Sequence, residues 1–191
     1  MVGENKLSRV LDGTGLLTYS YNNIKASNVE QFIVVSSKEN HAQANSLSDP
    51  YPKIVLLDNK NQGIGDSIAL AVSNIEDTIS SVIICLADMP LITKNHINLL
   101  ILSKLSNKFR GLSRFYNANG QPGHPILFDQ QYIAKLKMLT GDIGGSNILK
   151  ENNNLVHRIN VNNFSVTTDL DTQDDWNTFL KSNNDKVYFD N

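Results

Sequence analysis

An unbroken apolar run near the middle of the chain constrains the fold more than any other segment. Residues 82–87 are all apolar and include β-branched side chains, which predicts a strand covered on both faces. The run ends in the carboxylate of Asp88, and Pro90 cannot continue a hydrogen-bonded ladder. In open α/β sheets, ligands bind beyond the carboxyl ends of such strands. Asp88 is therefore either a ligand for Mg²⁺, which prefers oxygen ligands, or the cap of a helix that begins near Thr93.

The rest of the chain alternates apolar runs with segments of helical period, which is typical of an α/β layered fold. Other strands are predicted at residues 31–35, 54–57, 112–116, 125–128, 156–161 and 165–170. Helices are predicted at residues 15–25, 68–79, 97–105 and 132–139, and a last one follows a capping box formed by Thr172 and Asp175. We interpret residues 1–191 as one domain with a core at 1–183, and we expect the tail at 184–191 to be frayed.

Composition and charge exclude several classes of function. The 191 residues suffice for one ordinary domain, and a formal net charge of −2 provides no field to attract nucleic acid or an anionic membrane. No segment is apolar for long enough to span a bilayer, and we find no signal peptide. The single cysteine, Cys85, lies inside the predicted strand and is interpreted as a core residue rather than a nucleophile. We therefore expect a cytoplasmic protein that binds neither nucleic acid nor membranes.

Three further segments carry groups suited to binding phosphate or a metal ion. Lys6 could reach phosphate oxygens as a point charge, or it could simply be solvated. The Gly-Ile-Gly turn ending at Gly65, with Ser67 after it, could present N–H groups and a hydroxyl to an anion, or could only begin a capped helix. Asp169 and Asp171 point to the same side of an extended backbone and could face one cation. We favour Asp169 as the ligand and Asp171 as a turn residue.

Two glycine-containing segments could border a ligand, because glycine lets other groups approach the backbone closely. Gly123 and His124 stand at the entrance of a predicted strand, and Asp142 lies within Thr-Gly-Asp-Ile-Gly-Gly. His124 is either an ordinary loop histidine or a hydrogen-bonding partner of a ligand. The sequence contains no Gly-x-Ser-x-Gly elbow, paired-cysteine motif or Walker A loop.

The order of these segments is more distinctive than any one of them. Gly-Glu-Asn-Lys-Leu, Gly-Ile-Gly-Asp-Ser, Leu-Ala-Asp-Met-Pro-Leu-Ile, Gly-His-Pro-Ile-Leu-Phe, Leu-Thr-Gly-Asp-Ile-Gly and Asp-Leu-Asp-Thr-Gln-Asp-Asp-Trp follow one another along the chain. This series resembles the MobA-like nucleotidyltransferases, and most closely the branch of molybdenum cofactor cytidylyltransferases. The similarity covers residues 3–180.

The resemblance implies a Rossmann-like three-layer αβα sandwich with a mostly parallel mixed sheet. It also implies an enzyme that transfers CMP from CTP to molybdopterin bearing molybdenum and releases pyrophosphate, with a molybdoenzyme or its maturation chaperone as a further partner. Asp88 and Asp169 would then hold Mg²⁺, and Lys6 would neutralise phosphate charge. The nucleotide would lie against Lys6, Gly65, Ser67, Ala87 and Asp88. The acceptor would lie against Met89, Pro90, Gly123, His124 and Asp142.

The sequence departs from this family at its start. Members begin with a strand and a loop of the form Leu-Ala-Ala-Gly-x-Ser-x-Arg-Met-Gly, whereas only residues 1–3 stand where the tail of that loop is expected. The missing strand belongs near the middle of the sheet, so we expect its neighbours to face each other across a gap. We favour a start codon further upstream over loss of the loop, and the choice between CTP and GTP stays open.

Two other functions are compatible with the same residues. One is a nucleotidyltransferase of the same fold that uses a sugar phosphate or an isoprenoid phosphate as its acceptor. The other is an accessory protein that binds the molybdenum cofactor without transferring a nucleotide.

Overall fold

Helices and strands alternate along most of the chain in this computed structural model, which describes residues 7, 9–11, 13–47, 52–58, 63–106 and 111–184. The helices are α1 (Leu16–Lys25), α2 (His41–Asn45), α3 (Ile64–Val72), α4 (Lys94–Leu105), α5 (Ile133–Lys137), α6 (Ser146–Glu151) and α7 (Gln173–Asn184). The strands are β1 (Val10–Leu11), β2 (Thr14–Gly15), β3 (Ile33–Ser37), β4 (Lys53–Leu57), β5 (Ser81–Ile84), β6 (Leu112–Tyr116), β7 (Pro122–Asp129) and β8 (Val156–Asn160). None of the helices built from these residues is long and apolar enough to cross a membrane.

The strands form two main sheets, a small parallel one and a larger mixed one. Strands β3 and β4 pair in parallel, and the larger sheet has the order β5-β7-β6-β8. Within it, β7 runs antiparallel to both β5 and β6, while β8 runs parallel to β6. The two-residue strands β1 and β2 form a separate hairpin before α1.

Helices cover both faces of the larger sheet. On one face, Ile68 of α3 packs in a buried cluster with Phe128 of β7. On the other face, Ile97 of α4 packs with Phe115 of β6. Helix α3 also contacts β3 and β4, so the same helix layer covers the smaller sheet. The α/β fold with three layers predicted from the sequence is therefore confirmed.

The expected gap lies between the two sheets. The facing edges of β3 and β5 line a groove of ≈ 1260 Å³. Within the described ranges, no strand pairs with the second edge of β3 or of β5. Ile33–Ser37 and Ser81–Ile84 are mostly half-buried, whereas β6 and β7 are largely buried. The groove is closed from the two faces by apolar side chains of α1, α3 and α4, namely Tyr21, Ile24, Val72, Ile97 and Ile101.

Several sequence-based boundaries are corrected by the structure. The strand predicted at 165–170 is wrong, because Ser165–Thr167 forms a 3₁₀ turn whose first N–H donates to the Asn163 side chain at 3.0 Å. The strand predicted at 82–87 ends at Ile84, where the chain leaves the ladder with β7. Helices α2 and α6 were not predicted, since five or six residues are too few to establish a helical period. Most of the predicted tail, 185–191, lies outside the described residues.

Helix α3 begins at Ile64 and ends at Val72, so the helix predicted at 68–79 starts too late and continues too far. Two other local predictions are confirmed. The Thr172–Asp175 capping box is confirmed, with the Asp175 N–H donating to Thr172 Oγ1 at 3.1 Å and the Thr172 N–H donating to the Asp175 carboxylate at 2.6 Å. Cys85 packs in the cluster on the α4 face, and burial raises the pKa of its thiol to about 12. A thiol with that pKa is protonated at neutral pH, which fits a core residue rather than a nucleophile.

Candidate active site

Two carboxylates from distant parts of the chain meet at the carboxyl end of β5. Asp88 follows β5 in a turn, and its backbone carbonyl accepts a hydrogen bond from the Leu170 N–H at 3.0 Å. The Leu170 side chain is fully buried in a cluster with Trp176 of α7. Because Leu170 is anchored both by its backbone and by its side chain, the adjacent Asp169 is held next to Asp88.

The electrostatics of this pair favour a bound cation. Burial, and then the neighbouring carboxylates of Asp171 and Asp88, raise the pKa of Asp169 above its ordinary value. The negative charges therefore oppose one another, and a divalent cation between them would relieve that repulsion. Both donors are carboxylate oxygens, which suit Mg²⁺. No group of three or more His, Cys, Asp or Glu side chains that could hold a metal occurs among the described residues. The protein would thus supply two carboxylates, and substrate phosphates and water the remaining ligands.

His124 lies beside this acidic pair at the beginning of β7. Its ring interacts with the backbone of Ile84 and, electrostatically, with Asp88. Burial, followed by the charge of Arg114, lowers its pKa to about 4, so the ring is neutral at physiological pH. The Nδ1 atom is buried and has no hydrogen-bond partner in the described part of the protein. Because a buried polar atom normally has a partner, this nitrogen is suited to bonding a ligand.

Gly123 permits the close approach on which the position of Asp169 depends. A Cβ atom at Gly123 would lie 2.1 Å from the carbonyl oxygen of Val166, in the turn that leads to Asp169. Only glycine lets β7 and that turn approach so closely. The structure thus gives Gly123 a positioning role, and its contact with an acceptor stays a prediction.

The start of α3 differs from the open phosphate cradle that we expected. The Gly65 N–H donates to the Gly141 carbonyl at 2.8 Å, and a Cβ at Gly65 would meet three carbonyl oxygens of residues 140–143 within 2.9 Å. The Asp66 carboxylate also accepts bonds from the N–H groups of Gly63 and Gly141, at 2.9 and 2.8 Å. The expectation that Gly65 offers an unpaired N–H is corrected: this glycine fastens α3 to the loop that carries Asp142. Contact of Gly65 with a nucleotide stays a prediction.

Two residues predicted to contact the nucleotide and one predicted to contact the acceptor lie around the groove. Ser67, Ala87 and Asp142 all line it. The Ala87 carbonyl accepts a bond from Ser20 Oγ at 2.8 Å, which fixes the turn before Asp88. Lys6 lies outside the described residues, so the structure does not place it.

Met89 and Pro90 are buried rather than exposed to a ligand. Met89 is 4% exposed and packs in the α4-face cluster, and Pro90 is fully buried. Contact of these two residues with an acceptor stays a prediction, and the burial of both side chains leaves the backbone of this turn as the part that could make it. Asp88 does not cap α4, because the cap is formed by Thr93, whose N–H donates to His96 Nδ1 at 3.1 Å.

Arg114 is a residue of this region that the sequence analysis missed. It lies in β6, is half-buried, and its Nε–H donates to the Gly123 carbonyl at 2.9 Å. It also interacts electrostatically with His124. The signal was a charged residue between Leu112 and Phe115 in an otherwise buried strand, but no motif accompanied it.

Known proteins resemble this chain in family and in fold. The family model described as a MobA-like NTP transferase domain matches residues 1–157. No curated protein matches the sequence.

Solved structures share the fold over almost the whole chain. The crystal structure of Rv0371c from Mycobacterium tuberculosis H37Rv has a TM-score of 0.81 at 19% identity, covering 94% of this chain and 90% of that one. A second structure of Rv0371c is a complex with manganese, with a TM-score of 0.80 at 19% identity and coverage of 93% and 91%. Its homologue from Mycobacterium sp. strain JC1 has a TM-score of 0.79 at 26% identity, covering 93% and 87%. CMP:2-keto-3-deoxy-manno-octonic acid synthetase complexed with CTP has a TM-score of 0.72 at 9% identity, covering 95% and 92%.

Proposed function

The chain belongs to the MobA-like NTP transferase domain family, and we propose that it transfers CMP from CTP to a molybdopterin-type acceptor, with Mg²⁺ as its divalent ion. The observation that carries the proposal is the hydrogen bond from Leu170 to the Asp88 carbonyl, which holds Asp169 next to Asp88. Transfer of a nucleotidyl group between phosphates depends mainly on positioning and charge neutralisation. A pair of carboxylates without an activated side-chain nucleophile is consistent with that requirement.

In the proposed reaction, an oxygen of the acceptor phosphate forms a bond to the α-phosphorus of CTP. The bond between that phosphorus and the bridging oxygen of the β-phosphate breaks, and pyrophosphate leaves with the electron pair. A divalent ion held by Asp88 and Asp169 would neutralise negative charge on the reacting phosphates. His124, whose low pKa keeps its ring neutral, would offer Nδ1 to a hydrogen-bonding group of the acceptor.

Two further observations support the choice of CTP, and a third supports a divalent ion. The His-Pro-Ile-Leu-Phe and Thr-Gly-Asp segments resemble the cytidylyltransferase branch of the family. A protein of the same fold, the CMP:2-keto-3-deoxy-manno-octonic acid synthetase, has been solved with CTP. Rv0371c has been solved with manganese, which points to a divalent ion without selecting Mg²⁺.

The proposal is tested by measuring pyrophosphate release with each of the four nucleoside triphosphates, Mg²⁺ or Mn²⁺, and molybdenum cofactor. Sugar phosphates and isoprenoid phosphates serve as competing acceptors. We expect CTP and the molybdenum cofactor to give the fastest release. Faster release with a sugar or isoprenoid phosphate would replace the proposed acceptor.

The role of the two carboxylates is tested separately, with Mn²⁺ binding followed by electron paramagnetic resonance in the presence of CTP. Asp88→Asn and Asp169→Asn should each weaken binding at least about a hundredfold, since losing even outer-shell partners of a metal site costs about 10- to 100-fold. Asp77→Asn is the matched control, because Asp77 is an exposed carboxylate in the loop before β5. Binding that is equal in all three variants would contradict the assignment.

A further inference from the structure

Two arginines lie directly opposite each other on neighbouring strands of the larger sheet. Arg114 of β6 is the register partner of Arg158 of β8 in the parallel pairing. Paired residues on adjacent strands project from the same face, and the strands are about 4.8 Å apart. Like charges directly opposite each other in a sheet are unfavourable. This pair, Arg114 with Arg158, is called the arginine pair below.

Each of the two guanidinium groups is held in place by a neighbouring group. The Arg158 guanidinium carbon lies 3.5 Å from the centre of the Tyr116 ring. Arg114 interacts electrostatically with Tyr116, which is on the same face of β6 two residues further on. Tyr116 is 6% exposed, so its ring is a fixed platform. Arg114 is fastened from a second direction by its Nε–H bond to the Gly123 carbonyl, at 2.9 Å.

The arginine pair has no compensating anion within the described part of the chain. No carboxylate there forms an ion pair with Arg114 or Arg158. The bond from Nε to Gly123 is the one hydrogen bond that the Arg114 side chain makes to those residues, so its terminal N–H donors are available. Arg114 is nevertheless half-buried, where a charge is normally paired. An anion binding between the two guanidinium groups would remove both the repulsion and the unpaired charge.

The arginine pair also lies near the acidic pair, Asp88 and Asp169. Arg114 interacts electrostatically with His124, and the His124 ring interacts in turn with Asp88. A phosphate bound by the arginines would thus lie on the His124 side of the carboxylates. Guanidinium groups bind phosphate through parallel pairs of N–H bonds, which a lysine cannot reproduce.

We propose that Arg114 and Arg158 form an anion-binding subsite that takes a phosphate group of the acceptor. The assignment of the anion to the acceptor rests on the proposed nucleotidyl transfer, whereas binding of the anion itself does not. A purely structural pair, in which Arg158 only stacks on Tyr116 and Arg114 only fastens Gly123, is the alternative that the experiment must exclude.

The experiment follows the arginine Nε–H signals by ¹H–¹⁵N NMR while inorganic phosphate is added without metal, at constant ionic strength. The chain has only four arginines, so each signal can be assigned by substitution. We expect the signals of Arg114 and Arg158 to shift together with one dissociation constant, while that of Arg9 stays fixed. Arg158→Gln should weaken phosphate binding about ten- to a hundredfold, the range expected for hydrogen bonds to a charged group. Arg158→Lys should recover only part of the loss.

Arg9→Gln is the matched control, because Arg9 also lies over an aromatic ring, 5.7 Å from the centre of Trp176. It should leave phosphate binding unchanged. If phosphate moves neither signal of the arginine pair, or binds Arg158→Gln as tightly as the parent, the subsite is refuted. Residue 158 is exposed, and replacing it leaves the bond from Arg114 to Gly123 in place. Arg158→Gln should therefore fold and test the subsite even if Arg114→Gln does not fold.

CTP binding in the presence of Mg²⁺ separates this proposal from the proposed function. CTP affinity that is unchanged in Arg158→Gln supports an acceptor subsite. CTP affinity that falls in Arg158→Gln as far as in Asp88→Asn would assign the arginines to the triphosphate and overturn the acceptor assignment. If the parent binds phosphate through the arginine pair but binds no nucleoside triphosphate, the anion subsite is supported and the proposed function fails.

Discussion

The open edge of β5 predicts an asymmetry in how two facing core residues contribute to stability. Ile83 of β5 and Leu127 of β7 are register partners and pack in the same cluster. Leu127 is 3% exposed, whereas Ile83 is half-buried and lines the groove. Replacing either residue with alanine removes three carbon atoms, so the two substitutions differ in environment far more than in chemistry.

The expected magnitudes follow from burial. Three carbons at about 0.8 kcal/mol for each buried CH₂ give about 2.4 kcal/mol at full burial and about 1.2 kcal/mol at half burial. Leu127→Ala also leaves a closed cavity, which places its cost within the range of about 2–5 kcal/mol seen for such truncations. Ile83→Ala only widens a groove that is already open. We therefore expect Leu127→Ala to lower the free energy of unfolding by about 3 kcal/mol and Ile83→Ala by about 1 kcal/mol.

Equilibrium urea unfolding of the parent and the two variants measures the difference, provided that the three m-values agree. A cost for Ile83→Ala equal to that for Leu127→Ala would refute the reasoning. It would mean that polypeptide fills the groove in solution and that β5 is an interior strand with neighbours on both sides.

Two other predictions concern Asp169. Gly123→Ala should weaken Mn²⁺ binding as Asp169→Asn does, because the new Cβ would clash with the Val166 carbonyl at 2.1 Å and displace the turn before Asp169. Gly120→Ala controls for destabilisation alone, because its Cβ meets no atom within 4 Å although its φ of +73° strains an alanine, and equal Mn²⁺ affinity in both variants would contradict the positioning role. Because the pKa of Asp169 is raised, the folded protein keeps the proton on this carboxyl group to a higher pH than the unfolded chain does. Without metal, the contribution of Asp169 to the free energy of unfolding is therefore lost as the pH rises through the folded pKa. Asp169→Asn should remove that part of the pH dependence in thermal unfolding, and an unaltered profile would count against the carboxylate repulsion.

Local sequence signals predicted most of the elements. The helix at Leu16–Lys25 and the strand at Leu112–Tyr116 agree with their predicted ranges to within one residue, because hydrophobic period is a local property. The apolar run ending at Asp88 predicted a ligand site at a strand end, and the structure places Asp169 next to Asp88. The strand prediction at 165–170 failed because this segment makes its hydrogen bonds within a turn. For example, Thr168 Oγ1 donates to the Phe164 carbonyl at 2.8 Å.

The sequence could not predict which residues of neighbouring strands lie opposite each other. The chemistry of the site depends on that register. Arg114 and Arg158 become neighbours only because β8 joins β6 in parallel with these positions opposite each other. A shift of one residue along the strand would turn one guanidinium to the other face of the sheet. Asp169 likewise reaches Asp88 through the bond of Leu170 to a turn much earlier in the chain, together with the burial of the Leu170 side chain. The acidic pair and the arginine pair therefore depend on different long-range pairings, and these meet at Gly123, whose carbonyl accepts from Arg114 and whose missing Cβ makes room for the turn before Asp169.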